Sequence, residues 1–438
     1  MLRFKGGIHP PYNKLTNKDS IEIAKLPIEV ILPLRQHTGA PCEPLVKVRD
    51  HVKVGQKIAD SEALVSAPIH ASISGVVTDI TDKLHPVLGI CKAIVIESDG
   101  KVEWHSHHKS EDYSNIEVLK KIIRNAGIVG LGGAAFPTHI KLSPPPGKKI
   151  DTLILNGAEC EPYLTCDHRL MLEKTKEIIN GLLIIKKVLD AKEVFIGIEN
   201  NKLDAVNSFN EVIVEKKIDI KVVSLPTKYP QGSEKQLIYA LTGRKVPIGG
   251  LPLDVGVVVQ NVQTAKAVYD AVVEHKPLIE RVVTVTGAVK QPKNLLVKIG
   301  TPFKDLIEQC GGALGPIGKV INGGPMMGIA QSTDEVPIIK GTSGILVQLK
   351  DDVEKLNSQK EENCIRCGRC LDACPMFLMP TMISKYSENN MMDKADEFHA
   401  VDCFECGACA YICPSKIPLL KWIKKAKTEI MSKRKVAK

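Results

Sequence analysis

Along the first hundred residues, apolar and polar positions alternate in short β-branched runs separated by turn residues. Val46 to Val54 (VKVRDHVKV), Gly55 to Ala59, Ala71 to Ile80 (ASISGVVTDI) and Ala93 to Ser98 (AIVIES) are the strand candidates, and their spacing predicts a small all-β module. After a polar stretch, Trp104 to Ser114, the period changes. Ile116 to Asn125 (IEVLKKIIRN) has helical spacing, with Gly127 placed to stop it. Strands at Asp151 to Leu155, Glu193 to Ile198, Ile220 to Leu225 and Val255 to Val259 then alternate with helices at Arg169 to Leu189, Leu203 to Glu215, Glu234 to Leu241 and Thr264 to Glu274. That order predicts an α/β domain with a largely parallel sheet. From Arg281, RVVTVTGAVKQPKNLLVKIG reads as a hairpin turning near Gln291 and Pro292, followed by a short helix at Pro302 to Gln309 and a strand at Lys319 to Asn322, a β-grasp pattern. Asp351 to Lys438 has helical segments and no strand pattern. The expected fold class is therefore multidomain α/β with small β domains, divided as 1–110, 111–277, 278–350 and 351–438.

Four modules suit a chain of 438 residues, which is too long for a single compact core. A hydrophobic content of 44% with 25% charged residues excludes collagen-like and wholly disordered readings. No stretch reaches the roughly 18 apolar residues of a membrane span. The best candidate, Gly181 to Ile185, is cut off by Lys186 and Lys187, so any membrane association is expected to be peripheral. Met1 to Lys14 lacks the apolar run of a secretory signal, which predicts a cytoplasmic location.

The net charge of +9 suggests nucleic acid until it is located along the chain. Nine of the 59 basic residues and one of the 50 acidic ones lie between Lys416 and Lys438, leaving a nearly neutral body. No nucleic-acid partner is expected. In the tail, Leu419, Leu420, Ile423 and Lys427 share a helical face, which suits either packing on the preceding domain or a foot on a membrane partner. His105, His107 and His108 read as a solvated loop.

Eight of the thirteen cysteines fall between Cys364 and Cys413. Cys364-x2-Cys367-x2-Cys370-x3-Cys374-Pro375 recurs as Cys403-x2-Cys406-x2-Cys409-x3-Cys413-Pro414. In this bacterial ferredoxin run, three close thiolates hold one cubic cluster and the fourth cysteine ligates the other. The expectation is one [4Fe-4S] cluster on Cys364, Cys367, Cys370 and Cys413, and a second on Cys403, Cys406, Cys409 and Cys374. Structural zinc, the competing reading, usually takes two CxxC pairs separated by a spacer, which is not the pattern here.

Gly130-Leu-Gly132-Gly133-Ala-Ala135 satisfies a dinucleotide-binding pattern, but a helix precedes it and the first strand follows it, so the ordinary fingerprint is rejected. Glycines nevertheless permit close backbone approach to a flat or phosphorylated ligand. Asn156-Gly-Ala-Glu159-Cys-Glu161-Pro162 stands at the carboxyl end of the first strand. Beyond a strand end its two carboxylates could meet a nucleotide, or could form an exposed acidic loop.

The V-x-V and A-P-I-x-A-x-I-S-G-V-V half-motifs of the first module resemble the barrel-sandwich fold of biotin and lipoyl carriers. Between Lys57 and Lys83, however, there is no lysine to acylate, so the module is expected to be structural or a docking unit. The run GLGGAAFPTHIK (Gly130 to Lys141) resembles the flavin loop of the NADH-binding flavoprotein subunit of respiratory complex I. Asn156 to Pro162, Gly232-Ser-Glu234 and Asn261-Val-Gln-Thr264 match the same protein in the same order. From FKGGIHPP (Phe4 to Pro11) through the double cysteine run, the whole chain resembles the RnfC family, one of the subunit families of the Rnf ion-translocating ferredoxin:NAD oxidoreductases.

The resemblance implies a biotinyl-like start, a Rossmann-like flavoprotein core, an SLBB-like β-grasp and a two-cluster ferredoxin domain. It implies that Gly130, Gly132 and Gly133 line FMN, that Lys141 meets its phosphate, and that Asn156, Glu159, Gly232 and Asn261 complete the pocket. Phe136, Glu161 and Glu234 would face the nicotinamide nucleotide. Leu131, Ala135, Ala158 and Ser233 stand where the complex I flavoprotein has arginine, glycine, aspartate and glutamate. NADH yields a hydride whereas a [4Fe-4S] cluster takes one electron, so a flavin must convert between them. The implied partners are NADH, the other subunits of a membrane-bound complex and, indirectly, ferredoxin, with this chain on the cytoplasmic side. A non-catalytic iron-sulfur relay that has lost the nucleotide site is the alternative.

Overall fold

The computed structural model describes residues 3–106 and 113–436, so His107 and His108 of the histidine stretch lie outside the described residues. The N-terminal module is a pair of facing sheets. One holds the strands Glu29–Pro33, Gly89–Ser98, Gly75–His85 and His51–Val52 in that order, and the other holds Glu43–Pro44, Lys57–Asp60 and Ile69–His70. Val30, Leu32, Ile58, Ile69, Ile94 and Ile96 fill the space between them with essentially no exposure. Of the expected Val46 to Val54 run only His51–Val52 pairs as a strand. Asp50 turns its carboxylate back to the Lys47 N–H and Arg49 has φ +79°, so the alternating pattern there lies on a turn.

The second module is a four-stranded parallel sheet in the order Lys221–Leu225, Glu193–Glu199, Thr152–Gly157, Val257–Asn261. Ile116–Asn125 is a helix over the expected residues, capped by the Asn115 side chain on the Glu117 N–H. The long helix expected at Arg169 to Leu189 is two helices, Cys166–Glu173 and Thr175–Leu189. The Thr175 hydroxyl donates to the Met171 carbonyl at 2.6 Å where they meet, a side-chain bond that competes with the helix ladder. Buried apolar residues on one face of this sheet form one continuous cluster with those of the sandwich, while Ile154, Leu225, Leu237, Val257 and Val259 form a separate cluster on the other face.

The β-grasp sheet has six strands, in the order Ile21–Ile23, Lys293–Lys298, Glu280–Gly287, Gly344–Leu349, Ile317–Asn322, Ile329–Gln331. Its first member comes from the N-terminal segment, pairing in parallel with Lys293–Lys298. Within the N-terminal module, residues 3 to 24 leave the two facing sheets and lie along the other three modules.

The C-terminal module is helical. Leu419, Ile423, Ala426 and Ile430 of the last helix, Leu419–Val436, are buried against Ile383, Met392 and Ala395. The apolar face of the basic tail is thus used inside the domain. Several of its cations are paired too, Lys427 with Glu405 at 2.9 Å and Arg434 with Asp396 at 2.8 Å. Among the described residues no helix is long and apolar enough to cross a membrane.

Candidate functional site

The glycine loop lies where three modules meet. Gly130 donates to the Phe136 carbonyl at 2.8 Å and closes the loop, while Gly132 and Gly133 remain exposed. Leu131, standing where the related flavin loop has arginine, is buried. Its N–H donates to the Thr264 hydroxyl at 2.9 Å, and its carbonyl accepts from the buried Arg281 guanidinium at 3.2 Å. Arg281 also donates to the Lys340 carbonyl. Burial lowers the pKa of this guanidinium, and Cys166 and Asp167 pull it back. From the sandwich, Thr38 donates to the carbonyls of Ala134 and Ala135.

Lys141 closes the short helix after the loop. Its ammonium reaches Glu234 Oε1 at 2.7 Å and the Val259 carbonyl at 2.9 Å. Asn156, on the first strand, donates to the Gly232 carbonyl at 2.8 Å. Gly232 has no room for a side chain, since a Cβ there would sit 2.2 Å from the Ala158 carbonyl oxygen. Asn261 caps the following helix through the Gln263 N–H and donates to Asp167 at 2.7 Å. These residues gather beyond the carboxyl ends of the parallel strands, as expected of such a sheet.

The two glutamates are placed differently from an open pair. Glu159 is buried and accepts from the N–H groups of Asp167 and His168 at 2.9 and 3.3 Å, capping the Cys166–Glu173 helix. Cys166 and Asp167 offer ligand atoms that converge with it within 4.8 Å. Burial and the Glu159 charge raise both groups, so Cys166 stays a thiol. Glu161 accepts from the Met326 and Met327 N–H groups of the β-grasp at 3.1 and 2.8 Å, which fixes it at the seam between the two modules. Its carboxyl is pushed up to about 7 by burial, against the pull of these donors and of Lys14. Phe136 is half-buried in the loop.

Lys14 is a residue the sequence did not single out. Its buried ammonium donates to the carbonyls of Glu159, Glu161 and Leu164 at 2.8, 2.8 and 2.6 Å, fixing the loop that carries both glutamates. Nearby, Lys202 and Glu199 form a fully buried ion pair at 2.9 Å.

Seven of the eight cysteines sense one another in two groups. Cys370 is raised by burial and by the adjacent Cys413 and Cys364, whereas Cys403, Cys406 and Cys409 are each raised by burial and by Cys374. Cys374 therefore lies beside the triplet of the second run and Cys413 beside Cys370 of the first, an arrangement compatible with cross-ligation. Backbone N–H groups of Leu378 and Glu405 point at the sulfurs of Cys374 and Cys403. Cys364 and Cys367 are exposed, while Cys374, Cys406, Cys409 and Cys413 are buried.

The group centred on Cys406 and Cys374 abuts the α/β domain. The Tyr229 hydroxyl donates to the Cys406 carbonyl at 2.8 Å, and Gln236 donates to the Pro375 carbonyl at 3.1 Å. Ile8, Tyr229, Ala373, Cys406 and Ala408 form a small buried cluster, with Cys160 and Met326 against it. The N-terminal segment covers this junction. Gly7 donates to the Ala373 carbonyl at 2.8 Å, and a Cβ on Gly6, at φ +79°, would meet the Cys374 carbonyl oxygen at 2.6 Å.

Comparison with known proteins agrees with this layout. Residues 2–101 match the RnfC barrel sandwich hybrid domain, 123–270 the Nuo51 FMN-binding domain, 282–330 the SLBB domain and 363–417 a 4Fe-4S dicluster domain. The fold resembles that of a solved NAD+-reducing [NiFe]-hydrogenase in its H2-reduced state, with a TM-score of 0.52 and 17% identity over 73% of this chain and 62% of that one. Over 97% of its length the chain is 54% identical to the RnfC subunit of the proton-translocating ferredoxin:NAD(+) oxidoreductase complex of Clostridium ljungdahlii, covering 93% of that protein. It is 47% identical to the corresponding subunit of the Na(+)-translocating complex of Acetobacterium woodii, over 99% of this chain and 98% of that one. With near-complete coverage of both relatives and every module matched in order, the chain belongs to the RnfC family of ferredoxin:NAD(+) oxidoreductase complex subunits.

Proposed function

We propose that this chain exchanges hydride between NAD(H) and FMN and passes single electrons through two [4Fe-4S] clusters to the other subunits of a membrane ion-translocating complex. It acts there as the peripheral NADH-oxidising or NAD-reducing subunit on the cytoplasmic side, and exchanges electrons with ferredoxin only through those subunits. The observation that carries the reading is the junction itself: Tyr229 and Gln236, from the segment that includes Gly232 and Glu234, donate to the backbone carbonyls of Cys406 and of Pro375, the residue after Cys374.

The residues present suit both kinds of cofactor. Exposed Gly132 and Gly133 leave the loop open to a flat ring, and Lys141 supplies a cation for the phosphate. Asn156, Gly232 and Asn261 form the wall, and Glu159 supports it from behind by capping the helix whose Asp167 holds Asn261. Phe136 and Glu234 are the groups offered to the nicotinamide nucleotide. Glu161, also offered to the nucleotide, is already engaged by the Met326 and Met327 N–H groups. When bound, FMN accepts the hydride and releases its electrons singly. No side-chain acid or base is needed for that transfer. Exposed Cys364 and Cys367 suit an outlet position for the cluster of the first run.

The test is anaerobic cluster reconstitution of the purified chain, followed by NADH with and without FMN. Reduced-cluster EPR signals are expected only when FMN is present. Clusters that stay oxidised although FMN is bound would count against the reading.

A further inference from the structure

The loop between the sandwich strands reaches across to the glycine loop. Thr38 Oγ1 donates to the Ala134 carbonyl at 3.0 Å, and the Thr38 N–H donates to the Ala135 carbonyl at 3.1 Å. Between these bonds, Ala135 has φ +48°, the left-handed region that a Cβ disfavours. The side chain of Ala135 is buried while Gly132, Gly133 and Ala134 are exposed. A peptide plane sends its C=O and N–H in opposite directions. Taking the Ala134 and Ala135 carbonyls toward Thr38 therefore turns the next two N–H groups, those of Ala135 and Phe136, away from the sandwich. The Leu131 carbonyl, held by Arg281, likewise turns the N–H of Gly132 away from that guanidinium.

We propose that Thr38 is a positioning residue for the flavin: from a different module it holds Ala135 in its strained conformation and so fixes the shape that the glycine loop presents to FMN. The sandwich, which lacks the lysine of a carrier, acts here as a brace on the flavin loop. This inference rests on the reading of that loop as the FMN site.

The strain makes the proposal separable from a simple stabilising role. If Thr38 works by holding a disfavoured alanine, the hold matters less once residue 135 is glycine, which adopts the conformation freely. FMN affinity is measured by quenching of flavin fluorescence on the full chain with its clusters in place. Thr38→Val should weaken binding about tenfold, Thr38→Ser should retain it, and Thr38→Val in an Ala135→Gly background should lose about threefold or less. Equal losses in the two backgrounds, or no loss in Thr38→Val, would overturn the proposal. Thermal unfolding of each variant serves as the control, and a loss of affinity matched by a loss of fold in Thr38→Val but also in Thr38→Ser would likewise overturn it. Failure of the unsubstituted chain to bind FMN would remove the reading of the loop along with the inference, whereas binding by unsubstituted chain and Thr38→Val alike removes the inference alone.

Discussion

Lys141 Nζ and Glu234 Oε1 are 2.7 Å apart, so the cation assigned to the flavin phosphate and a carboxylate assigned to the nicotinamide nucleotide hold each other. The pair is about a third exposed on each side, at 29% and 38%, which limits its strength to about 1 kcal/mol. A phosphate arriving at Lys141 must compete with Glu234, and Glu234 set free gains donors to seek. Glu234→Gln should therefore act in opposite directions on the two ligands. FMN affinity should rise by up to about fivefold, and the KM for NADH should rise as well. Fluorescence titration and steady-state kinetics on one preparation check both signs.

Lys14 fixes three carbonyls of the Glu159–Leu164 loop with one buried ammonium. Lys14→Met leaves the Glu161 and Leu164 oxygens without this donor and the Glu159 oxygen with only the longer bond from Lys202, and the expected loss is about 3 kcal/mol of stability. FMN affinity should fall with it, while iron content stays that of the parent. Thermal unfolding alongside iron assay measures the two effects.

Cross-ligation makes a prediction that a count of irons decides. If Cys374 serves the cluster of Cys403, Cys406 and Cys409, the double variant Cys374→Ser with Cys409→Ser removes one cluster only, and about four irons per chain remain. Cys374→Ser with Cys367→Ser strikes both clusters and should leave almost none. The reverse pattern would mean that each run holds its own cluster.

Burial holds the Glu161 carboxyl at about 7, above the ordinary glutamate value near 4.3. Between those two pH values the folded protein binds the proton that the unfolded chain has released. Stability from this group is thus fullest at acid pH, declines as pH rises through the window by about 1.4 kcal/mol per unit, and levels off above about 7. Glu161→Gln cannot ionise and should flatten that part of the profile. Chemical denaturation at pH 5.5, 6.5 and 8 reads the difference between variant and parent.

Local pattern was enough for the parts of the molecule whose causes are local. The Ile116–Asn125 helix is set by its own apolar stripe and cap, and the paired cysteine runs carry their chemistry in their spacing. The parallel strands followed from alternation with helices. What escaped was contact between distant segments. No periodicity marks Ile21–Ile23 as the edge of a sheet whose next strand begins at Lys293, because three residues have no pattern to show. Thr38, Arg281 and Lys14 were missed for a related reason: each is defined by carbonyls it meets at least 59 positions away. Glu161 was legible as a crevice residue, but its partners are main-chain groups of Met326 and Met327, and any residue type could supply those. Ala135 carried a signal in its departure from glycine, and its positive φ gives that departure a physical meaning.

The course of the N-terminal segment also sets an order of events during synthesis. Residues 3 to 24 leave the ribosome before any of their partners exist: Lys14 waits for the loop at Glu159 to Leu164, Ile21–Ile23 for Lys293–Lys298, and Gly6 and Gly7 for Ala373 and Cys374. This segment is consequently seated late, and its final anchor is a cluster-bearing loop. A nascent chain stalled before Ala373 lacks the partners of Gly6 and Gly7, so exposure of these two glycines marks an unfinished molecule.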